Sequence, residues 1–342
     1  MPRGRQRQSG RIDMNRRTIV RFAARAVTLA VAGGLAAAAV PQDAAAQSWP
    51  SRPITVVVPF TPGTAVDISA RVVMDEVSRQ VGQPIVVENR GGAGSTIGTN
   101  VVAKAAPDGH TILVTGSMAS AHATFKSLPY DTLGDFVGVI SLGLQPLVLV
   151  TSPSKGFKTL ADLIKAAKAG QLTYASAGIG SATHLALERF RLSAGFQAQH
   201  VPFRGAPEGL REVIAGRVDF YSVPLPPALP LIKDGKLVAL AVSADKRATV
   251  LPDVPTTVEL GHKDSAYYLY GGVYMHSKTP AAVVQRLHQE IGKALQVPAV
   301  QQRMRQIGAE PMPMSQPEFD KYFRADVAAN VKLAKDANIP QQ

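Results

Sequence analysis

Residues Pro59–Arg71 read PFTPGTAVDISAR and follow the apolar run ITVVV, Ile54–Val58. A short β-branched run of this kind reads as a buried strand. The chain then turns through Pro62 and Gly63, and Ile68, Val72, Val73 and Val77 fall on one side of a helix. Strand, turn and helix in that order are the unit of a parallel sheet covered by helices. The first amide N–H groups of such a helix lack intrahelical partners and carry a partial positive charge. Gly63 lets a ligand approach the backbone closely. Phe60, Thr61, Pro62, Gly63 and Thr64 therefore form a candidate loop for a carboxylate or phosphate. Asp67 either anchors that loop from behind or is a first-turn acid favoured by the helix dipole. An ordinary βα turn with nothing bound also fits this stretch.

The alternation continues. Pro84–Asn89 (PIVVEN) and Thr111–Gly116 (TILVTG) read as strands, with a helix around Thr96–Ala105 between them. Phe136–Thr151 (FVGVISLGLQPLVLVT) is too long for one ordinary strand and holds two glycines and a proline. It reads as two strand pieces with a bend, passing from one domain to another. A second α/β unit follows, opened by a helix with Leu160, Leu163, Ile164 and Ala167 at helical spacing and closed by Gly170. Its strands are 172–178, 197–203, 218–223 and 237–244; its helices are 181–195, 206–216 and 226–236. In the tail, Val284, Leu287, Ile291 and Leu295 mark one helix face, and Phe319, Phe323, Val327 and Val331 another. Both helices are expected to pack back on the first domain.

The stretch SAGIGSATHL, Ser176–Leu185, repeats the logic of the first loop. Ala177, Gly178, Ile179 and Gly180 end a strand, and Ser181 and Thr183 stand ready as donors at a helix start, with His184 beneath. A plain N-cap by Ser181 is the alternative. Two such loops, one per unit, would face each other across a cleft, and that pairing favours binding through amides around Gly63 and Gly180. Thr115, Gly116 and Ser117 could line the same cleft. Arg204 is a candidate carboxylate partner, against the commoner solvated Arg. Asp219 would accept a ligand amine or, more simply, bond nearby backbone N–H groups.

Composition excludes much else. The chain is 46% hydrophobic and 18% charged, the mark of a globular protein, and it has no Cys, so disulfides, thiol nucleophiles and thiolate metal sites are ruled out. The net charge of +12 is uneven: residues 1–46 hold eight Arg against two Asp. No basic stripe with interleaved aromatics follows, so nucleic acid is a poor partner. GAGSTIG, Gly92–Gly98, has GxGxxxG spacing and no acid at the end of the next strand, which argues against a dinucleotide. There is no GxSxG or HExxH motif, and the seven His are scattered. No catalytic residue, metal or cofactor is expected. At the N-terminus, the basic Met14–Phe22, the apolar Ala26–Val40 and the small Ala44-Ala45-Ala46 read as a signal peptide over 1–46, cleaved near Ala46. Arg16-Arg17 resembles a twin-arginine signal, ordinary export being the alternative, and an uncleaved anchor is the other reading of the whole segment.

The stretches at 49–71, 82–114, 129–131, 172–185, 200–210, 216–256 and 309–319 together resemble the Bug family, TctC-like extracytoplasmic solute receptors of tripartite tricarboxylate transporters. The resemblance spans roughly 49–338. It implies an α/β, two-domain periplasmic-binding-protein (type 2, Venus-flytrap) fold, each domain a mainly parallel sheet flanked by helices. On it, domain I comprises 49–145 plus 243–338, domain II 146–242, and the hinge lies near 142–146 and 240–243. It implies a periplasmic monomer that captures a small carboxylate-bearing ligand, delivers it to membrane permease subunits and performs no chemistry. The family's ligand loops match Phe60–Asp67, Thr115–Ser117 and Ser176–His184, and its strand Asp matches Asp219. Thr64-Ala65-Val66 stand where family members usually carry glycines, and Ile179 where a polar residue is common. The expected ligand therefore has some apolar or aromatic body besides its carboxylate. A sensor signalling to a membrane partner is the alternative, and a secreted α/β hydrolase a more remote one.

Overall fold

The structure, a computed structural model, describes residues 49–339 and 341–342; the expected signal peptide lies outside them. In chain order the elements begin with β1 (Ile54–Val58), α1 (Ala65–Val81), β2 (Ile85–Asn89), α2 (Thr96–Ala103), β3 (Thr111–Thr115), α3 (Met118–Thr124) and β4 (Phe136–Thr151). There follow α4 (Leu160–Ala169), β5 (Leu172–Ser176), α5 (Ala182–Ala194), β6 (Ala198–Pro202), α6 (Ala206–Ile214), β7 (Phe220–Pro224), α7 (Leu225–Lys233) and β8 (Val238–Ser243). The chain ends with β9 (Tyr268–His276), α8 (Ala281–Gln296), α9 (Pro298–Gln306) and α10 (Gln316–Asp336). No described helix is long and apolar enough to cross a membrane.

β1 is apolar because both of its faces are covered. Ile54, Val56 and Val58 enter one cluster beneath α1, and Val57 enters another with Val102 and Phe323. α1 starts where Thr64 caps it and ends where Gly82 takes a left-handed conformation. Strand order is β2-β1-β3-β9-β4-β7-β5-β6, with β8 also paired to β4. β1 pairs in parallel with β2 and β3, and β5 in parallel with β6 and β7. Around β4 the pairing is antiparallel, to β9, β7 and β8.

β4 is one strand of 16 residues rather than two bent pieces. Phe136–Pro146 pair with β9, and Leu147–Thr151 pair with β7 and β8. The expected irregularity survives as register shifts in the pairing with β9, one of them between Ser141 and Leu144. There Gly143 adopts φ 137, and a Cβ on it would stand 2.7 Å from the Glu310 carbonyl oxygen. Only glycine tolerates that combination.

The tail helices pack on the first half of the sheet, as expected. Val284, Leu287 and Ile291 share a cluster with Ile54 and Val56, and Phe319, Phe323 and Val327 share one with Val57 and Phe136. Val331 departs from the expected face and is 44% exposed. Leu287→Ala should therefore cost about 2–5 kcal/mol in urea denaturation, and Val331→Ala no more than about 0.5 kcal/mol. Equal losses would show that the two positions are packed alike.

Candidate functional site

The turn between β1 and α1 is held from below. Asp67 is buried, and its carboxylate accepts from the Gly63 N–H at 2.9 Å, Asn89 Nδ2 at 2.9 Å and Arg71 Nε at 3.0 Å. Asn89 Nδ2 also donates to the Phe60 carbonyl at 3.0 Å. The Thr64 hydroxyl accepts the Asp67 N–H. These bonds occupy the Gly63 amide that sequence assigned to a ligand. Among the described residues, the amides left without a partner at this helix start include those of Ala65 and Val66.

α5 opens in a comparable way. Ser181 Oγ accepts the His184 N–H and donates to the Gly178 carbonyl at 2.7 Å. Thr183 Oγ1 accepts the Ala177 N–H at 2.9 Å. The Gly180 N–H points to His184 Nδ1 at 3.4 Å, so it too is occupied. The Ala182 N–H donates to Ser117 Oγ at 3.0 Å, a bond from the second half of the molecule to the first. The Thr183 N–H remains unpartnered among the described residues.

The two helix starts converge on a cavity of about 30 Å³, lined by Phe60, Thr64, Ala65, Val66, Ser117, Ala177, Ser181, Ala182, Thr183, Ala206, Pro224 and Leu269. None of these side chains is charged. Such a volume holds one or two waters. Phe60 and Ala177 also border an outer cavity of about 520 Å³, walled by Gly92–Ser95, Phe125, Gly178, Ile179, Phe203 and Arg204. The two halves touch around it. A Cβ on Gly94 would lie 2.1 Å from the Ile179 carbonyl oxygen, and one on Gly205 2.1 Å from Thr61 Oγ1. Gly180 packs against Thr124 and Phe125 in the same way. The halves are thus closed on one another.

Of the residues singled out from sequence, Phe60, Thr64, Ser117, Ala177, Ser181 and Thr183 line the inner cavity, and Gly178, Ile179 and Arg204 the outer one. Others stand apart. Asp219 accepts from the Thr173 N–H at 2.7 Å, Thr173 Oγ1 at 2.8 Å and Lys155 Nζ at 2.6 Å, so it ties β5 to the segment after β4 and lines neither of these cavities. Thr115 accepts the Ser117 N–H, and Gly116 lies against Leu269 and Tyr270. Thr61, Pro62 and Gly63 line neither cavity. Leu269, Pro224 and Ala206 were missed because they reach the site from distant elements. Gly92–Ser95 had a visible signal, the glycine cluster: Gly94 at φ 60 permits the close approach to Ile179.

Behind α5 the His184 and His200 rings stack at 4.0 Å between centroids, with Tyr174 stacked on His200 at 4.9 Å. Ser176 Oγ lies 2.6 Å from His200 Nε2, linking the stack to the loop. Burial, then the Arg191 charge, pushes His184 down to about 4. Burial, then His184, pushes His200 down to about 3. Glu188 accepts from the Tyr174 hydroxyl at 2.6 Å and pairs with Arg191.

A two-lobed sheet with one crossing strand and a cleft lined by helix starts defines a solute-binding fold, and known proteins agree. The chain matches the model of the tripartite tricarboxylate transporter family receptor over residues 69–339. It is 36% identical to the protein BugT of Bordetella pertussis, over 85% of this chain and 91% of that protein. A solved Rhodopseudomonas palustris protein with adipate superposes with a TM-score of 0.82 at 32% identity, covering 86% of this chain and all of that one. MatC from the same species, with bound malate, gives 0.79 at 30% identity, covering 83% and 99%. The chain belongs to the TctC-type, Bug-like receptor family and has its two-domain periplasmic-binding-protein fold.

The histidine stack has a pH consequence. Folded imidazoles near 4 and 3 against an ordinary 6.5 mean that the unfolded chain binds more protons below pH 6.5. Stability should fall as pH drops from about 6.5 to about 4, by up to about 1.4 kcal/mol per pH unit for each ring. The His184→Gln, His200→Gln double variant should flatten that slope in urea denaturation; an unchanged slope would rule the stack out as its source.

Proposed function

We propose that this chain is a periplasmic solute receptor that captures one small carboxylate-bearing ligand between its halves and delivers it to the membrane permease of a tripartite tricarboxylate-type transporter. The observation that carries this reading is the convergence of α1 and α5, one from each half, on a single cavity with no charged side chain. The unpartnered amides of Ala65, Val66 and Thr183 suit a carboxylate, held by oriented dipoles rather than a buried cation. A buried Arg would have to be desolvated in every unliganded cycle; amides already built into a helix end would not. Family membership and the adipate and malate of the related structures support the ligand class. Val66, Leu269, Phe60 and Pro224 give the cavity apolar walls, which favours a ligand with an apolar or aromatic body.

Capture requires opening, because about 30 Å³ cannot admit an acid of several carbons. The change of partners along β4 at Leu147 supports a division into domain I (49–145 and 243–338) and domain II (146–242), with hinges near 142–146 and 240–243. Rotation about β4 and β8 would separate Ser117 from Ala182, and the ligand would then bridge both halves. The chain acts without chemistry of its own, and the expected signal peptide supports a periplasmic location.

Isothermal titration of the mature chain with adipate, malate and benzoate, alongside small-angle scattering, tests this. One ligand per chain with compaction is expected for at least one acid. Val66→Asp, which sets a carboxylate among the free amides, should weaken binding by about 30-fold or more, roughly 2 kcal/mol. Binding unaffected by that variant would remove the cavity from consideration, and silence from every acid would remove the ligand class.

A further inference from the structure

Outside the cleft, a groove of about 850 Å³ runs between α4 and the loop that follows β8. It shares no lining residue with the cavities of the site. α4 turns Leu160, Leu163 and Ala167 into the core, which leaves Ile164 half-buried at the edge and Lys165 and Lys168 exposed. The opposite wall is Val254 and Leu260, the latter a leucine 44% exposed in a loop. An apolar seam between Ile164 and Leu260 is thus left facing water.

Lys158, Lys165 and Lys168 border this seam. Among the described residues none of the three has a carboxylate within ion-pair distance, whereas Lys155, Lys236, Lys293 and Lys332 are each paired. The nearby Asp162 is spent on the helix start, accepting the Lys158 and Thr159 N–H groups at 3.0 and 2.9 Å. Asp253 is the one carboxylate in the lining. The groove therefore presents unpaired positive charge around an apolar floor.

We infer that this groove docks an acidic segment of a partner protein, anchored by apolar side chains on the Ile164–Val254–Leu260 floor. Charge complementarity selects an acidic occupant. Concavity selects a protruding peptide segment over a bilayer, whose flat surface meets the lysines but not the floor. β8 contributes Ala239 and Leu240 to the groove and pairs with β4, so a seated partner rests one strand from the element that crosses between the halves. The inference does not depend on which acid the cleft takes.

The test uses the mature chain and a labelled amphipathic Leu/Glu peptide of about 15 residues, long enough to form a helix, with a Leu/Lys counterpart and phosphatidylglycerol vesicles as the other probes. Fluorescence anisotropy should show binding of the Leu/Glu peptide, weakened by added salt. The Lys165→Glu, Lys168→Glu double variant should lose about 10-fold or more in affinity, and Leu260→Ser should weaken binding in a salt-independent way. Circular dichroism and the carboxylate titration of both variants should match the parent, so that misfolding or failure of the cleft reads separately. Equal peptide binding by parent and double variant overturns the proposal. Binding of vesicles but not of the Leu/Glu peptide overturns it in favour of a lipid surface.

Discussion

Everything in this molecule turns on β4 satisfying two sets of hydrogen bonds along one strand. Its first eleven residues complete the pairing of β9, and its last five stand between β7 and β8. A backbone group buried without a partner is costly, so a strand that crosses between two sheet halves must keep its ladder on both sides. The register shift between Ser141 and Leu144 and the left-handed Gly143 accommodate that change. Neighbouring polar groups reinforce it: Gln145 Nε2 donates to Ser69 Oγ at 2.6 Å, tying the strand to α1 just past the glycine. The cleft lies where it does because α1 and α5 start on either side of this crossing.

The inner cavity presents free backbone amides, and side-chain bonds hold the loops on either side of them. A helix end binds an anion only if its loop does not collapse onto the amides first. Asp67, Asn89 and Phe60 fix one loop, and Ser176, Ser181 and Thr183 fix the other. Each network consumes some amides and leaves others. Gly63 and Gly180 are consumed, while Ala65, Val66 and Thr183 are left. The free amides therefore sit two or three residues further into each helix than the glycines that make the turns possible.

That offset marks the limit of what the sequence reveals. Local patterns identified the strand–loop–helix units correctly, because Thr64 and Ser181 cap through near-neighbour bonds encoded within a few residues. They misjudged which amides remain free, since Asp67 and His184 take the glycine N–H groups only in a folded loop. β9 left no clear trace: YLYGGVYMH is interrupted by Gly271-Gly272 and is a strand only because β3 and β4 flank it. Leu269 enters the cavity from that same strand. Asp219 resembled a site residue in the family pattern, yet its acceptors are filled by Thr173 and Lys155, a pairing across 46 and 64 residues that no local window contains.

The histidine stack behind α5 completes the logic of a neutral site. His184 Nδ1 accepts the Gly180 N–H, which requires that nitrogen to be unprotonated. A protonated ring there would release the Gly180 amide and add a positive charge beneath the start of α5, loosening the loop while attracting anions more strongly. Burial against His200 and Tyr174, with Arg191 nearby, holds the ring neutral and removes both effects. The Glu188 carboxylate that could favour protonation is instead engaged by Arg191 and the Tyr174 hydroxyl. The loop at the start of α5 is thus held by uncharged donors and acceptors, and no charged side chain lines the inner cavity it faces.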